Sequence, residues 1–229
     1  MELDVWEQRM IIWYWSVKGG VGTSVVAAAT AIRLASDDRE ATLVDLTGDQ
    51  PALLGMIAGA EPSEPGIGDW VAAGDGVAAD AIGRLLEDVA PGLRLLRQGS
   101  EPALEALDDG RRRLVLALEV LARIGPVVVD AGLDPIELRS DLAAGHRPVC
   151  VLRSCYLALI RAQQVPGPYD RVVLVEEPGR ALRVRDVASA VGASDVARVA
   201  WDPRVARSVD AGTIVSMLPP PLRRFELPA

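Results

Sequence analysis

The chain has 229 residues, half of them apolar, a formal charge of −8 and only 4% aromatic side chains. With 21 glycines and 16 prolines, this is the profile of a globular α/β protein with many tight connections, and its apolar content excludes disorder over most of its length. No window reaches ~18 uncharged apolar residues, which excludes a helical membrane span. Glu2, Asp4 and Glu7 precede any basic residue, unlike a signal peptide. Cys150 and Cys155 make neither a disulfide framework nor a zinc pattern, so a reduced, cytoplasmic protein is expected.

Apolar runs of two kinds alternate along the chain. Residues 10–17 (MIIWYWSV) are branched and aromatic and predict a buried strand, with Trp13 and Trp15 on one face and Tyr14 on the other. The alanine-rich run 24–35 predicts a helix, and 41–46 (ATLVDL) a second strand. Residues 59–76, rich in Gly, Pro and acid, predict a loop with short helical turns. A short strand follows at 93–98, then a leucine-faced helix at 108–124 and a buried strand at 126–130 (PVVVD). Three more strands are expected at 147–152, 171–175 and 195–200, with helices at 155–165, 181–191 and 203–211. This alternation predicts a mostly parallel sheet with helices on both faces. One domain is expected over 1–218. After it comes a Pro-rich tail, 219–229, which the three prolines 219–221 predict to be extended or mobile.

The 24 basic residues include a single lysine, Lys18. Arginine stands wherever a generic positive charge suffices, so the one remaining ammonium singles out its surroundings. It opens Lys18-Gly19-Gly20-Val21-Gly22-Thr23-Ser24, a glycine-rich turn between a strand and a helix. That layout converges backbone N–H groups on an anion at a helix N-terminus. The ordinary phosphate-loop motif, G-x-x-x-x-G-K-S/T, is met only in part. Gly22 and Ser24 fit, but Thr23 stands where its lysine belongs and Val17 where its first glycine belongs.

KGGVGTS resembles the deviant phosphate loop of the MinD/ParA family of P-loop NTPases, K-G-G-V-G-K-S/T, whose extra first lysine falls on Lys18. The likeness continues in order: 42–55 (TLVDLTGDQPALLG) resembles the family's second strand and 127–132 (VVVDAG) its Walker B strand. Residues 149–162 resemble the next strand and helix, and 201–215 the terminal segment. The resemblance implies an α/β P-loop fold in which 19–24 cradle phosphates, Ser24 ligates magnesium, and Asp130 and Asp45 face the metal through water. It further implies that Lys18 reaches a nucleotide across a homodimer and that ATP or ADP with magnesium is the ligand. Some relatives, the pilus-positioning TadZ and CpaE branch, also carry a small residue at the altered lysine position. This chain lacks room for their N-terminal receiver-like domain.

Two departures bear on chemistry. Thr23 replaces the lysine that contacts the β- and γ-phosphates, and Thr47 replaces the aspartate that positions the attacking water. Losing one charge-assisted contact costs roughly 1.5–3 kcal/mol of binding, and hydrolysis loses more because the charge grows in the transition state. Asp49 replaces that aspartate only if the loop bends differently. Three readings follow: a degenerate NTPase that positions or regulates by dimerising and recruiting a protein partner; a slow ATPase in which Lys18 takes over; and a nucleotide-free scaffold.

The remaining residues carry weaker signals. Trp6 belongs to an N-terminal segment that packs or docks. His146 has no nucleophile placed beside it, and Cys155, opening a helix, reads as an inert thiol. Arg111, Arg112 and Arg113 spread around a helix and read as a solvated face. Residues 146–229 hold 12 basic and 8 acidic side chains against 12 and 24 in 1–145. Arg180, Arg183, Arg185, Arg204 and Arg207 therefore make nonspecific DNA a candidate partner. The eight residues after the prolines are too short and polar for a membrane anchor. Glu176 stands near the expected base site, so adenine preference rests on the resemblance alone.

Overall fold

The computed structural model describes residues 10–35, 40–56, 64–101, 107–133, 146–167, 169 and 171–227. Its elements, in chain order, are β1 (Ile11–Ser16), α1 (Thr23–Ala35), β2 (Ala41–Asp45), α2 (Gln50–Leu53), α3 (Ile67–Ala72), β3 (Glu87–Ala90), β4 (Leu93–Leu96) and α4 (Leu107–Leu121). There follow β5 (Val127–Leu133), β6 (His146–Arg153), α5 (Tyr156–Gln164), β7 (Arg171–Glu176), α6 (Val184–Val191), β8 (Asp195–Ala200), α7 (Pro203–Asp210) and α8 (Pro220–Arg224). The strands form one sheet in the order β3-β4-β2-β5-β1-β6-β7-β8. Every pairing is parallel except β3 with β4.

The parallel sheet follows from strands that are apolar on both faces. All six residues of β1 are buried. Trp13 and Trp15 enter the layer formed with Trp70, Leu114, Leu118 and Leu121, while Ile12 and Tyr14 enter the opposite layer under α1. The Tyr14 hydroxyl pairs with Thr30 Oγ1 at 2.7 Å, and burial pushes its pKa up despite that bond. Alanines 27, 28, 29 and 31 are fully buried, so α1 lies close against the sheet. Its N-terminus is thereby fixed over the carboxyl ends of β1, β2 and β5, where ligands of open α/β sheets bind.

Three features differ from the sequence expectations. β3 went unpredicted because its four residues, EDVA, have no apolar period; it pairs with β4 through a local turn and an Arg97–Glu87 ion pair. Residues 220–224 form a short helix, not an extended tail, because Leu222 and Phe225 find a buried seat on the α1 side. Arg33 lies over the Phe225 ring, 5.1 Å from its centroid. Arg113 is not solvated: its guanidinium stacks 4.0 Å from the Trp70 ring centre and donates to Trp70 O at 3.1 Å. It thereby fastens α4 to α3.

The ends of α2 and α7 touch through two glycines. A Cβ on Gly55 would stand 2.6 Å from Gly212 O, and Gly55 has φ +79°. Gly55→Ala is therefore expected to cost about 1–3 kcal/mol of stability through strain and clash, read as a lowered urea midpoint with unchanged slope.

Candidate nucleotide site

β1 ends at Ser16 and α1 begins at Thr23, leaving residues 17–22 to make the turn. Gly20 and Gly22 adopt φ of +74° and +102°, open to glycine and strained for other residues. A Cβ at Gly19 or Gly20 would meet nothing within 4 Å, so this side of the loop is open. The first bond of α1 runs from Val26 N to Gly22 O at 2.9 Å. The N–H groups of its first turn have no intrahelical partner and, with the helix dipole, suit an anion. Ser16 Oγ lies 3.0 Å from Gly132 O and 3.2 Å from Lys18 O, tying the loop to the end of β5.

Beside the loop is a cavity of about 700 Å³, an ordinary size for a small-molecule site. Gly19, Gly20, Gly22, Thr23 and Ser24 line it, joined by Thr47 and Asp49 from the β2–α2 turn and by Val209 and Asp210 from α7. Val21 instead turns its side chain into the core. Lys18 is not among the lining residues; its ammonium donates to Gly19 O at 3.1 Å.

Asp45 and Asp130 are register partners on adjacent strands, and both are fully buried. Asp45 Oδ1 accepts from Thr47 N, Thr47 Oγ1 and Gly48 N, each at 2.9 Å, and Oδ2 accepts from Gln50 N at 3.0 Å. Asp130 Oδ2 faces Gln50 Nε2 at 2.7 Å and Thr47 Oγ1 at 3.2 Å, and Oδ1 accepts from Gly132 N at 3.3 Å. The Ser24 side chain is near enough to oppose the rise in the Asp130 pKa. Burial drives both carboxyls above the usual range. Asp130 is pushed up to about 6, with the neighbouring Asp45 charge adding to burial and Gln50, Ser24 and Gly132 opposing it. The Thr47 hydroxyl has one proton and faces an oxygen of each carboxylate. Both contacts close only when one carboxyl carries a proton of its own, in keeping with these shifts.

Asp45 and Asp130 thus stand beside the start of α1, where Ser24 would offer magnesium a hydroxyl, and Asp45 Oδ2 and Asp130 Oδ1, with one hydrogen bond each, would keep a lone pair for a metal-bound water. All four carboxylate oxygens already accept hydrogen bonds from the chain. Among the described residues, no three His, Cys, Asp or Glu side chains gather in a metal-holding group. Gln50 is the residue that sequence reasoning missed. It is fully buried and joins Asp130 to Ser24 O, the latter at 3.1 Å. A lone glutamine in a turn carries no periodicity or motif that could have singled it out.

The other candidates lie elsewhere. Glu176 is paired with Arg198 at 2.6 Å and does not line the cavity. Cys155 caps α5, accepting from Ala158 N. His146 begins β6, where burial lowers its pKa. Trp6 falls outside the described residues. Arg180 and Arg204 are paired with Glu177 and Asp202, and Arg185 lies 3.7 Å from Asp186. Arg204, Arg207 and Arg223 line a second groove between α7 and α8. No helix among the described residues is long and apolar enough to cross a membrane.

A parallel sheet with a glycine loop at the carboxyl end of its central β1, and acidic β2 and β5 ends beside it, is a P-loop NTPase architecture. More narrowly, the fold is that of the ParA and MinD ATPases. A ParA family ATPase from Chlorobium tepidum TLS superposes with a TM-score of 0.72 at 18% identity, covering 94% of this chain and 96% of that one. The septum site-determining protein MinD of Pyrococcus horikoshii OT3, complexed with Mg-ADP, gives 0.68 at 16% identity, covering 89% and 86%. The MinC:MinD cell division complex of Aquifex aeolicus gives 0.67 at 16%, again covering 89% and 86%. No protein-family profile and no curated protein sequence matches the chain.

The raised pKa of Asp130 has a definite sign. The folded chain keeps this proton where the unfolded chain has lost it, so the associated stability is complete below about pH 4 and is lost as pH rises through about 6. Asp130→Asn stays neutral throughout. Relative to the parent it is expected to gain on the order of 2–3 kcal/mol between about pH 4 and pH 7; urea unfolding of both proteins at the two pH values checks this.

Proposed function

We propose that this chain is a degenerate member of the MinD/ParA family that binds an adenine nucleotide and acts by dimerising and recruiting a protein partner, with hydrolysis weak or absent. The observation that carries the reading is the pairing of an open glycine loop with two threonines at the catalytic positions. The loop backbone faces the cavity at Gly19, Gly20 and Gly22, which supports phosphate binding. Thr23 offers no charge to the β- and γ-phosphates. Thr47 directs its hydroxyl toward Asp45 and Asp130, which leaves no carboxylate at this position to orient a water.

The same geometry bears on the slow-ATPase reading. Lys18 stands outside its own cavity and bonds to the loop carbonyl beside it. That placement suits a reach toward a second copy better than a replacement for the missing lysine within one subunit. For the partner, the support is the fold shared with a MinD solved with MinC. Leu133 ends β5, Tyr156, Leu157 and Trp201 follow the carboxyl ends of β6 and β8, and all four are exposed. Apolar side chains on the cavity's edge of the sheet suit a docking face. DNA is a second candidate partner, supported by the arginine-lined groove between α7 and α8.

Isothermal calorimetry with ADP and ATP tests the nucleotide reading; heat that saturates at micromolar ligand supports it, and none up to millimolar removes it. Thr23→Lys restores the missing charge and is expected to tighten ATP by about ten- to a hundredfold. Turnover by the unaltered chain at the rate of an intact ATPase would overturn the degenerate assignment.

A further inference from the structure

The groove between α7 and α8 encloses about 460 Å³. Arg204, Arg207 and Ser208 reach it from α7, at spacings of three and four that put them on one face of the helix. Val205 and Val209, on a different face, pack against the α1-side layer. The valines therefore seat α7, and its arginines stay exposed. Arg223 enters from α8, which the buried Leu222 and Phe225 anchor. Met217, Leu218 and Pro219 supply an apolar wall. One carboxylate answers these three cations. Asp202 pairs with Arg204 at 2.6 Å, and its carboxyl is held below the usual range by Arg204 first and also by Arg207. Among the described residues the side chains of Arg207 and Arg223 have no ion pair or hydrogen bond, and no Asp or Glu lines the groove.

Two guanidiniums thus face solvent beside an apolar strip. A guanidinium takes a carboxylate in paired hydrogen bonds, and the strip takes an aliphatic side chain. A nucleic-acid duplex matches this surface less well. It carries one charge per about 1.7 Å of its axis, whereas α7 begins at the Asp202 cap and ends at Asp210, so a long polyanion meets acid at both ends of the helix. It also has no use for a wall of methionine, leucine and proline. We propose that this groove docks an acidic segment of a partner protein, with two carboxylates on Arg207 and Arg223 and an apolar side chain between them against Met217 and Leu218. The inference rests on the partner-recruiting reading above and adds to it the partner's chemistry; nucleotide binding and the apolar rim of the cavity do not enter.

Selection of a random library of short displayed peptides on the full chain tests it, with the Arg207→Gln/Arg223→Gln double variant as the counter-target. The recovered peptides are expected to carry acids on either side of an apolar residue. A synthetic copy of one is expected to bind the parent with a micromolar dissociation constant by fluorescence anisotropy, and the double variant about tenfold or more weakly. No recovery, recovery of peptides without acids, or equal binding by the folded variant overturns the proposal. A random-sequence DNA duplex that binds through the same two arginines about tenfold more tightly than the peptide overturns it in favour of nucleic acid. Both arginines are exposed, so the double variant is expected to keep the parent's urea midpoint. Should it fail to fold, Met217→Glu sets a carboxylate in the exposed wall and is expected to weaken the same peptide about tenfold; indifference there overturns the docking mode. Each failure leaves the nucleotide reading standing, because calorimetry tests that separately.

Discussion

Two buried carboxylates placed side by side at the carboxyl end of β2 and β5 are the constraint around which this site is arranged. Asp45 and Asp130 are register partners, so the parallel pairing of β2 with β5 forces them together. Neither charge can be tolerated there without donors or protons to offset burial. The chain answers with the β2–α2 turn, which folds back so that Thr47, Gly48 and Gln50 direct N–H groups at Asp45. The Gln50 side chain then crosses to Asp130 and to the carbonyl of Ser24. One turn therefore joins β2, β5 and the start of α1.

The glycine loop holds its shape by contacts other than this network. The loop does not depend on Thr23 for its geometry. Positive φ at Gly20 and Gly22, the Ser16 contact to Gly132 O, and the buried alanine face of α1 hold it. Position 23 is instead a chemical variable: an ammonium there would add charge to bound phosphates, whereas the buried Thr23 does not. Shape and charge at such a loop are matters for different residues.

Arginine usage follows a similar division. Six of the twelve arginines in residues 146–229 face a carboxylate, as Arg198 does with Glu176 and Arg171 with Asp195. Exposed pairs of this kind contribute little to stability, but they reduce the positive field that a simple count suggests. Arg113 shows the opposite case, where a cation is drawn inside because an aromatic face and backbone carbonyls receive it.

The sequence by itself determined the strand and helix order, the two-faced burial of β1, and the glycine loop with Lys18, Thr23 and Ser24. Each of these is a local matter of period, branching or backbone freedom, readable within a few residues. It also marked Asp45 and Asp130 as strand-end carboxylates. Tertiary structure decided what those carboxylates touch. Their pairing spans 85 positions of chain numbering from 45 to 130, and the glutamine that links Asp130 to α1 acquires its role only when three elements meet. The edge strand β3 and the short C-terminal helix were likewise beyond local reading, because a polar four-residue strand and a proline-led turn are stabilised by the partners they find. Propensity describes a segment alone; burial and hydrogen-bond closure belong to the assembled sheet.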